Sequence, residues 1–393
     1  MTPNPGLGDG TLKALYQRGG RLMNVHLDLL YACDLDCHHC YLDDKRRPQV
    51  PLAKLVDVLE QAAAMGVLQL LLSGGEIFLR KDLYEVLEAA RRLNFHLRLK
   101  THGGNVTEDD AARLAALGVA QVDFSVYALD DAVHDTFTRK TGSLRRTLAG
   151  IDYLIAAGVP VEVKVSVTSF NLHHYRPLVD HFASRGIPCS FNAKIRGTNS
   201  LETSTYPLNV SGEDKVELEL WRLERAGGPR AHAPVPPPER SHFCSAGRSM
   251  LYVAPDLEVY PCVSYPMSLG SLRDHSLSEL WAAAPGLEAV RAATRRDTGP
   301  AGEATGVCAT CPARPHCSYC PGAAYIESGH ALTPPEVVCA SAFAKLEAVV
   351  RWGRGERPKG HAAGRTRFPI AVNLHAAETK VYGSEHAGGC SCG

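Results

Sequence analysis

The chain has 393 residues and a mass of 42.4 kDa, with 45% of residues hydrophobic and 21% charged; that is enough for one large core with a smaller partner, and too little for several independent domains. Its 42 Lys and Arg balance its 42 Asp and Glu, which disfavours a polyanion-steered nucleic-acid binder. No apolar run is long enough to cross a bilayer and no basic-then-apolar segment opens the chain, so a soluble, cytoplasmic protein without a membrane partner is expected.

Residues 1–24 contain Gly, Pro and a short helical stretch at 12–16, read as a cover over one end of the fold. From there short apolar runs alternate with helix-length amphipathic ones. The pattern predicts strands at 26–30, 67–72, 96–100, 122–126, 161–167 and 189–191, and helices at 52–65, 81–93, 107–117, 143–157 and 178–184. Three of the helices stop at a glycine followed by valine: Gly66-Val67, Gly118-Val119 and Gly158-Val159. A glycine accepts the left-handed C-cap, and the β-branched residue opens the next strand. Strand then helix, repeated, predicts an α/β fold of parallel strands with right-handed crossovers, either an open sheet or an incomplete barrel. Ligands then belong at the C-terminal ends of the strands.

The register changes at residues 229–240, where Pro234, Pro236, Pro237 and Pro238 predict a stiff linker. Beyond it, apolar runs at 250–253 and 258–260 flank Pro255-Asp256-Leu257 as a hairpin, and helices are expected at 277–283 and 337–350. The expected organisation is an N-terminal extension (1–24), an α/β body (25–228), the linker (229–240), a second domain (241–350) and a loosely held tail (351–393). One strand at 367–374 is expected in that tail.

The 13 cysteines are too sparse for a disulfide scaffold and too clustered for an ordinary core. Cys33, Cys37 and Cys40 follow the first strand, and Cys308, Cys311, Cys317 and Cys320 crowd another short segment. Thiolates at such spacing converge on a soft metal centre, and three of them can hold an iron–sulfur cube with its fourth iron open. A structural zinc or iron site lacking a fourth cysteine satisfies the same spacing.

Cys-x3-Cys-x2-Cys followed by Tyr41, with Ser73-Gly74-Gly75-Glu76 closing the second strand, closely resembles the radical S-adenosylmethionine (radical SAM) enzymes. The resemblance covers about residues 24–200 and implies a partial (β/α)6 barrel. It also implies a [4Fe-4S] radical SAM cluster on Cys33, Cys37 and Cys40, whose open iron binds S-adenosylmethionine (AdoMet). Reductive cleavage of AdoMet then gives a 5'-deoxyadenosyl radical that abstracts hydrogen from substrate. By the same resemblance Tyr41 and Leu42 line the adenine side, Gly74 and Gly75 admit the methionyl part, and Glu76 faces its amine. Thr101, Ser125 and Arg139 approach the cofactor from other strand ends. His102 stands where such enzymes often have Asn; a neutral imidazole there can donate or accept a hydrogen bond, and a plain surface turn is the alternative. Lys164 and Ser166 alternate with valines and are expected to point into the barrel. Asn192, Lys194 and Arg196 leave the sixth strand, where they can meet a substrate carboxylate or amide.

Tyr260-Pro261-Cys262 after a hairpin, followed by Cys-x2-Cys-x5-Cys, resembles the SPASM domain, which carries up to two auxiliary [4Fe-4S] clusters. The chain departs from that pattern in having Leu257 where the hairpin usually has Gly, and in the short gap between Cys317 and Cys320. The resemblance implies one cluster on Cys308, Cys311, Cys317 and Cys339 and another on Cys244, Cys262 and Cys320. Cys189, Cys390 or Cys392 from the tail, water or a substrate atom is a candidate for the remaining ligand, and Cys189 is also a candidate catalytic thiol. Enzymes of this combination most often oxidise peptides or proteins, making crosslinks or thioethers or excising backbone. A peptide or protein substrate is therefore expected, with a flavodoxin or ferredoxin-type reductant and a separate leader-peptide-binding protein. Tetrapyrrole side-chain modification, with Lys194, Arg196 and Arg139 on propionates, is the competing chemistry; a non-catalytic iron–sulfur or zinc module is the competing class.

Overall fold

The computed structural model describes residues 9–42, 44–46, 49–229, 242–295 and 308–359. Helix α1 (Asp9–Arg18) leads into β1 (Asn24–Asp28), and then come α2 (Leu52–Ala64), β2 (Gln69–Ser73), α3 (Leu83–Arg92), β3 (His96–Thr101), α4 (Glu108–Leu117) and β4 (Gln121–Ser125). The body continues through α5 (Asp131–Thr138), α6 (Ser143–Ala156), β5 (Val161–Ser166), α7 (Tyr175–Ser184), β6 (Cys189–Asn192) and α8 (Gly212–Arg225). Strands β1 to β6 lie side by side in chain order, all parallel, in the partial-barrel architecture that the strand-then-helix repeat predicts.

The local signals act as expected. Gly66, Gly118 and Gly158 take φ of 77°, 63° and 76°, and Thr107 with Asp110 forms a capping box that starts α4. Helices α5 and α8 were not predicted. The first is short, and the second reads Val216-Glu217-Leu218-Glu219-Leu220, a strand-like alternation that its packing overrides. Leu27, Leu72, Leu99, Phe124 and Val163 are fully buried in one core between sheet and helices.

Past the linker, β7 (Met250–Val253), β8 (Glu258–Tyr260) and β9 (Gly270–Ser271) do not make a separate sheet. β7 lies parallel to β1 with Leu27 opposite Val253, and β8 and β9 follow antiparallel, which extends the sheet to nine strands. In the β7–β8 turn, Leu257 adopts φ 69° while 4% exposed; burial of its side chain offsets the strain that Gly would avoid. Helices α9 (Leu277–Ala283), α10 (Leu287–Ala293), α11 (Pro321–Ser328) and α12 (Glu336–Gly353) complete the second part. α12 returns to the body, packing Ala344 and Ala348 on Val216 and Leu220 of α8. The two expected domains therefore share a sheet and a helix pair. No helix among the described residues is long and apolar enough to cross a membrane. The expected strand at 367–374, Cys390, Cys392 and most of the Pro-rich linker lie outside the described residues.

Candidate active site

Alternation along the strands makes the barrel interior polar. Arg98 of β3 donates to both carboxylate oxygens of Asp123 at 3.0 Å, and Gln121 donates to Asp123 at 2.6 Å and to Glu162 at 2.8 Å. Lys164 is ion-paired with Glu162. Toward the C-terminal strand ends opens a cavity of about 360 Å³. It is lined by Cys33, Cys37 and Cys40, by Gly74 and Gly75, by Lys100, Thr101, Ser125, Tyr127, Lys164 and Ser166, by Asn192, Lys194 and Arg196, and by Val263 and Ser264 beyond the linker. This is the strand end at which α/β folds bind ligands.

The loop that carries the three cysteines is pinned on two sides. The Asp36 and His38 amides donate to Thr138 and Phe137 carbonyls at 3.0 and 3.1 Å, while the Gly75 and Glu76 amides donate to Leu30 and Ala32 at 2.8 and 2.9 Å. A Cβ on Gly74 or Gly75 would stand 2.2 Å from the carbonyl oxygen of Leu30 or Ala32. Both glycines line the cavity, but what forbids a side chain there is the backbone that leads into the cysteine loop. Burial pushes the Cys37 thiol up, and its neighbours Cys40 and Cys33 push the same way; burial also raises Cys40. Thiols so placed keep their protons unless a metal draws them off. Three of them in one cavity thus fit the cluster-binding role, with Cys33, Cys37 and Cys40 as its holders.

Glu76 corrects an expectation. It is fully buried and does not line the cavity. Its carboxylate accepts from the Thr101 hydroxyl at 2.7 and 2.8 Å, from the Phe78 amide at 3.0 Å and from the His102 amide at 3.0 Å. The His102 ring nitrogen Nε2 lies 3.0 Å from Glu76 and 2.9 Å from Asp34. Burial alone would push this imidazole down, but Glu76, Asp34 and Cys33 raise it to about 10; its Nδ1 accepts from the Gly104 amide at 3.0 Å, and both ring nitrogens are engaged within the protein. Cys33, Asp34 and His102 bring their ligating atoms within 4.8 Å of one another; the two acids flanking His102 make this group a polar brace of the cysteine loop. Thr101, expected at the cofactor, spends its hydroxyl on Glu76.

Two further expectations are corrected by position. Arg139 ends α5 in a left-handed conformation, φ 56°. It reaches outward to Asp36 at 2.7 Å and His38 at 3.2 Å, on the outer face of the loop and away from the cavity. Cys189 opens β6 opposite Val163, at the strand end away from the cavity, beside Glu162, Lys164 and Arg225. Burial pushes its thiol up to about 12; its position at the start of β6, away from the cavity and from the other cysteines, separates it from both expected roles. Ser125, Lys164, Ser166, Lys194 and Arg196 do reach the cavity. Tyr127, whose hydroxyl bonds with Ser125 and Cys37, packs on Phe137 at 4.4 Å and His39 at 5.1 Å. Lys100 was missed, although its period-two spacing from Arg98 and His96 marks an inward face. Burial pushes its ammonium down.

The later cysteines divide into two groups. Cys308, Cys311, Cys317 and Cys339 line an apolar cavity of about 30 Å³ with Tyr319, Val338 and Phe343. Burial pushes the Cys262 thiol up to about 12, with Cys320 and Cys244 close enough to push the same way. Cys320 also caps α11, its sulfur accepting from the Ala323 amide at 3.4 Å. The short Cys317-to-Cys320 gap therefore places neighbours in different groups.

Such a cavity, a three-thiol loop at its wall and further thiol groups behind the β7–β8 hairpin define an iron–sulfur enzyme built on a partial barrel. The profile of the radical SAM superfamily matches residues 28–180, and that of the SPASM iron-sulfur cluster-binding domain matches residues 244–312. The chain belongs to the radical SAM superfamily and carries a SPASM domain; it is a radical SAM enzyme that acts on AdoMet. It is 24% identical over 330 residues to the AdoMet-dependent heme synthase of Methanosarcina barkeri, covering 77% of this chain and 92% of that one. To the sporulation killing factor maturation protein SkfB of Bacillus subtilis it is 25% identical over 260 residues, 65% of this chain and 63% of that one. Its fold is that of Streptococcus suis SuiB, solved bound to the precursor peptide SuiA, with a TM-score of 0.64 at 16% identity, over 84% of this chain and 79% of that one.

Proposed function

We propose that this enzyme oxidises a residue of a peptide or protein, forming a crosslink or thioether or excising backbone. The cavity carries the reading: its lining includes the three cysteines of the barrel and Val263 and Ser264 of the SPASM part. A chain segment inserted between the two parts presents one residue to the cysteine wall while water is excluded. Bound at Cys33, Cys37 and Cys40, the cluster and AdoMet supply the hydrogen-abstracting 5'-deoxyadenosyl radical. Gly74, Gly75, Tyr41 and Ser125 are proposed to bound the AdoMet space, and Thr101, Glu76 and His102 to hold that wall in place. One or two auxiliary [4Fe-4S] clusters on the seven later cysteines are proposed as electron acceptors, with a flavodoxin or ferredoxin-type donor and a separate leader-binding protein as partners. The killing factor maturation protein SkfB and the fold of SuiB, solved with its precursor peptide, support the substrate class.

Tetrapyrrole modification is the second reading, supported by the heme synthase relative and its 92% coverage. Of the three cations assigned to propionates, however, Arg139 faces out of the cavity. The test is anaerobic reconstitution with AdoMet and reductant, followed by mass spectrometry of peptides encoded beside the gene. A peptide losing a hydrogen pair or a larger fragment is the expected product; turnover of a tetrapyrrole alone defeats the proposal.

A further inference from the structure

Among the described residues lining the cavity there are four Lys or Arg and no Asp or Glu, in a chain whose total charge is balanced. Two of these cations already have acids near them. Lys164 pairs with Glu162, and Lys100 lies within the fields of Asp123 and Asp28. The other two, Lys194 and Arg196, line the cavity without an Asp or Glu partner in an ion pair among the described residues, although Arg196 lies near enough to the Cys262 thiol to favour its thiolate. Lys194 instead has the ammonium groups of Lys215 and Lys345 nearby, and those two lysines share Glu219.

The segment that bears this pair is built to hold still. Asn209 clamps Ile195 between them: its Oδ1 accepts from the Ile195 amide at 2.8 Å and its Nδ2 donates to the Ile195 carbonyl at 3.0 Å. The Thr205 hydroxyl donates to the Arg196 carbonyl at 2.6 Å. The guanidinium lies over the Tyr41 ring, 3.8 Å from its centroid, and its Nη2 donates to Asn199 at 3.2 Å. Its other terminal nitrogen, Nη1, is buried with no hydrogen-bond partner. A desolvated N–H without an acceptor is costly, and a guanidinium fork matches a carboxylate better than any other common group. AdoMet brings a single carboxylate together with an ammonium and a sulfonium, so it leaves this excess of positive charge in place.

We infer that Lys194 and Arg196 form a preorganised clamp for a carboxylate of the substrate, seating it between the cysteine wall and the SPASM part of the cavity. The clamp makes the substrate acidic at or next to the reacting residue. The inference rests on the peptide reading for the source of the carboxylate, an acidic side chain or a free C-terminus, and on the cavity alone for its chemistry.

The test uses the full chain, reconstituted anaerobically with iron and sulfide and saturated with AdoMet. Fluorescence anisotropy measures binding of a labelled short peptide with one Glu and a free C-terminus, of versions with Gln, with an amidated C-terminus and with both changes, and competition by a propionate-bearing porphyrin and its methyl ester. Arg196→Gln and Lys194→Gln are each expected to weaken the acidic peptide by about ten-fold or more, the worth of a charge-assisted hydrogen bond, with the doubly neutralised peptide shifted less than about two-fold. Arg196→Lys, which keeps the charge and loses the fork, is expected in between. Whichever single neutralisation of the peptide reproduces the loss identifies the source. Charge-dependent binding of the porphyrin alone keeps the clamp and overturns the peptide reading. The clamp is overturned if the acidic peptide and porphyrin bind no more tightly than their neutral twins, or if the variants lose AdoMet affinity to the same degree.

Discussion

The two ends of the molecule hold cysteines in opposite ways. Near the start, three thiols stand on a loop braced by backbone hydrogen bonds and by the Asp34–His102–Glu76 group, facing a cavity of about 360 Å³. Near the end, four thiols surround an apolar space of about 30 Å³ between short turns and α12. An incomplete thiol set beside a large polar space leaves room for a reactant, whereas a complete set around a small dry one leaves room only for what the thiols themselves bind.

That contrast is easiest to break at the cysteines. Cys40→Ala is expected to bring AdoMet cleavage to background, read as 5'-deoxyadenosine after strong reduction. Cys339→Ala is expected to lose about four irons per chain while still cleaving AdoMet. If both variants lose cleavage and iron alike, the two ends are not functionally distinct.

The brace comes next. Glu76→Ala leaves His102 with one acid in place of two and strips acceptors from the Thr101 hydroxyl and two backbone amides. A cost of about 3–5 kcal/mol is expected, measured as a shift of the urea midpoint under anaerobic conditions. A shift near zero would show that the loop holds itself.

Acid sharpens the comparison, because the wall beside the cysteine loop contains a buried neutral imidazole. His134 is 1% exposed, and burial lowers its pKa from 6.5 to about 4. In that window the unfolded chain binds the proton and the folded chain does not, so stability is full above pH of about 6.5 and falls toward pH of about 4. The expected slope is on the order of 1 kcal/mol per pH unit. Replacing His134 by Phe should flatten the urea midpoint against pH across that range; an unchanged slope assigns the loss to other groups.

The smallest effect is expected at Arg139. Its pair with Asp36 joins side chains that are 35% and 63% exposed, a geometry worth little in water. Arg139→Gln should change AdoMet affinity by less than about two-fold, measured by equilibrium dialysis. A loss of ten-fold or more, about 1.4 kcal/mol, would return Arg139 to the cofactor.

Much was legible in the one-dimensional pattern because its causes are local. Glycine ends helices through its own backbone freedom, as at Gly66, Gly118 and Gly158, and alternation turns Lys164 and Ser166 inward whatever surrounds the strand. Cysteine spacing exposed the thiol groups for the same reason, since ligands to one centre must lie within reach of a short loop. Helix α8 escaped detection because its alternating acids and apolar residues imitate a strand, and only its contact with α12 selects the helix.

From its order of residues alone, this chain determined a parallel α/β body, thiols gathered at its two ends and a polar lining at the strand ends. Tertiary packing decided which of these groups face one another. It turned Glu76 onto Thr101 and His102, sent Arg139 outward, set Cys189 at the wrong end of β6 and merged two domains into one sheet. These outcomes depend on partners that are distant along the chain, such as Asp34 with His102 or Tyr41 with Arg196. Periodicity and propensity act between near neighbours, so they carry no information about which distant charge a side chain will find.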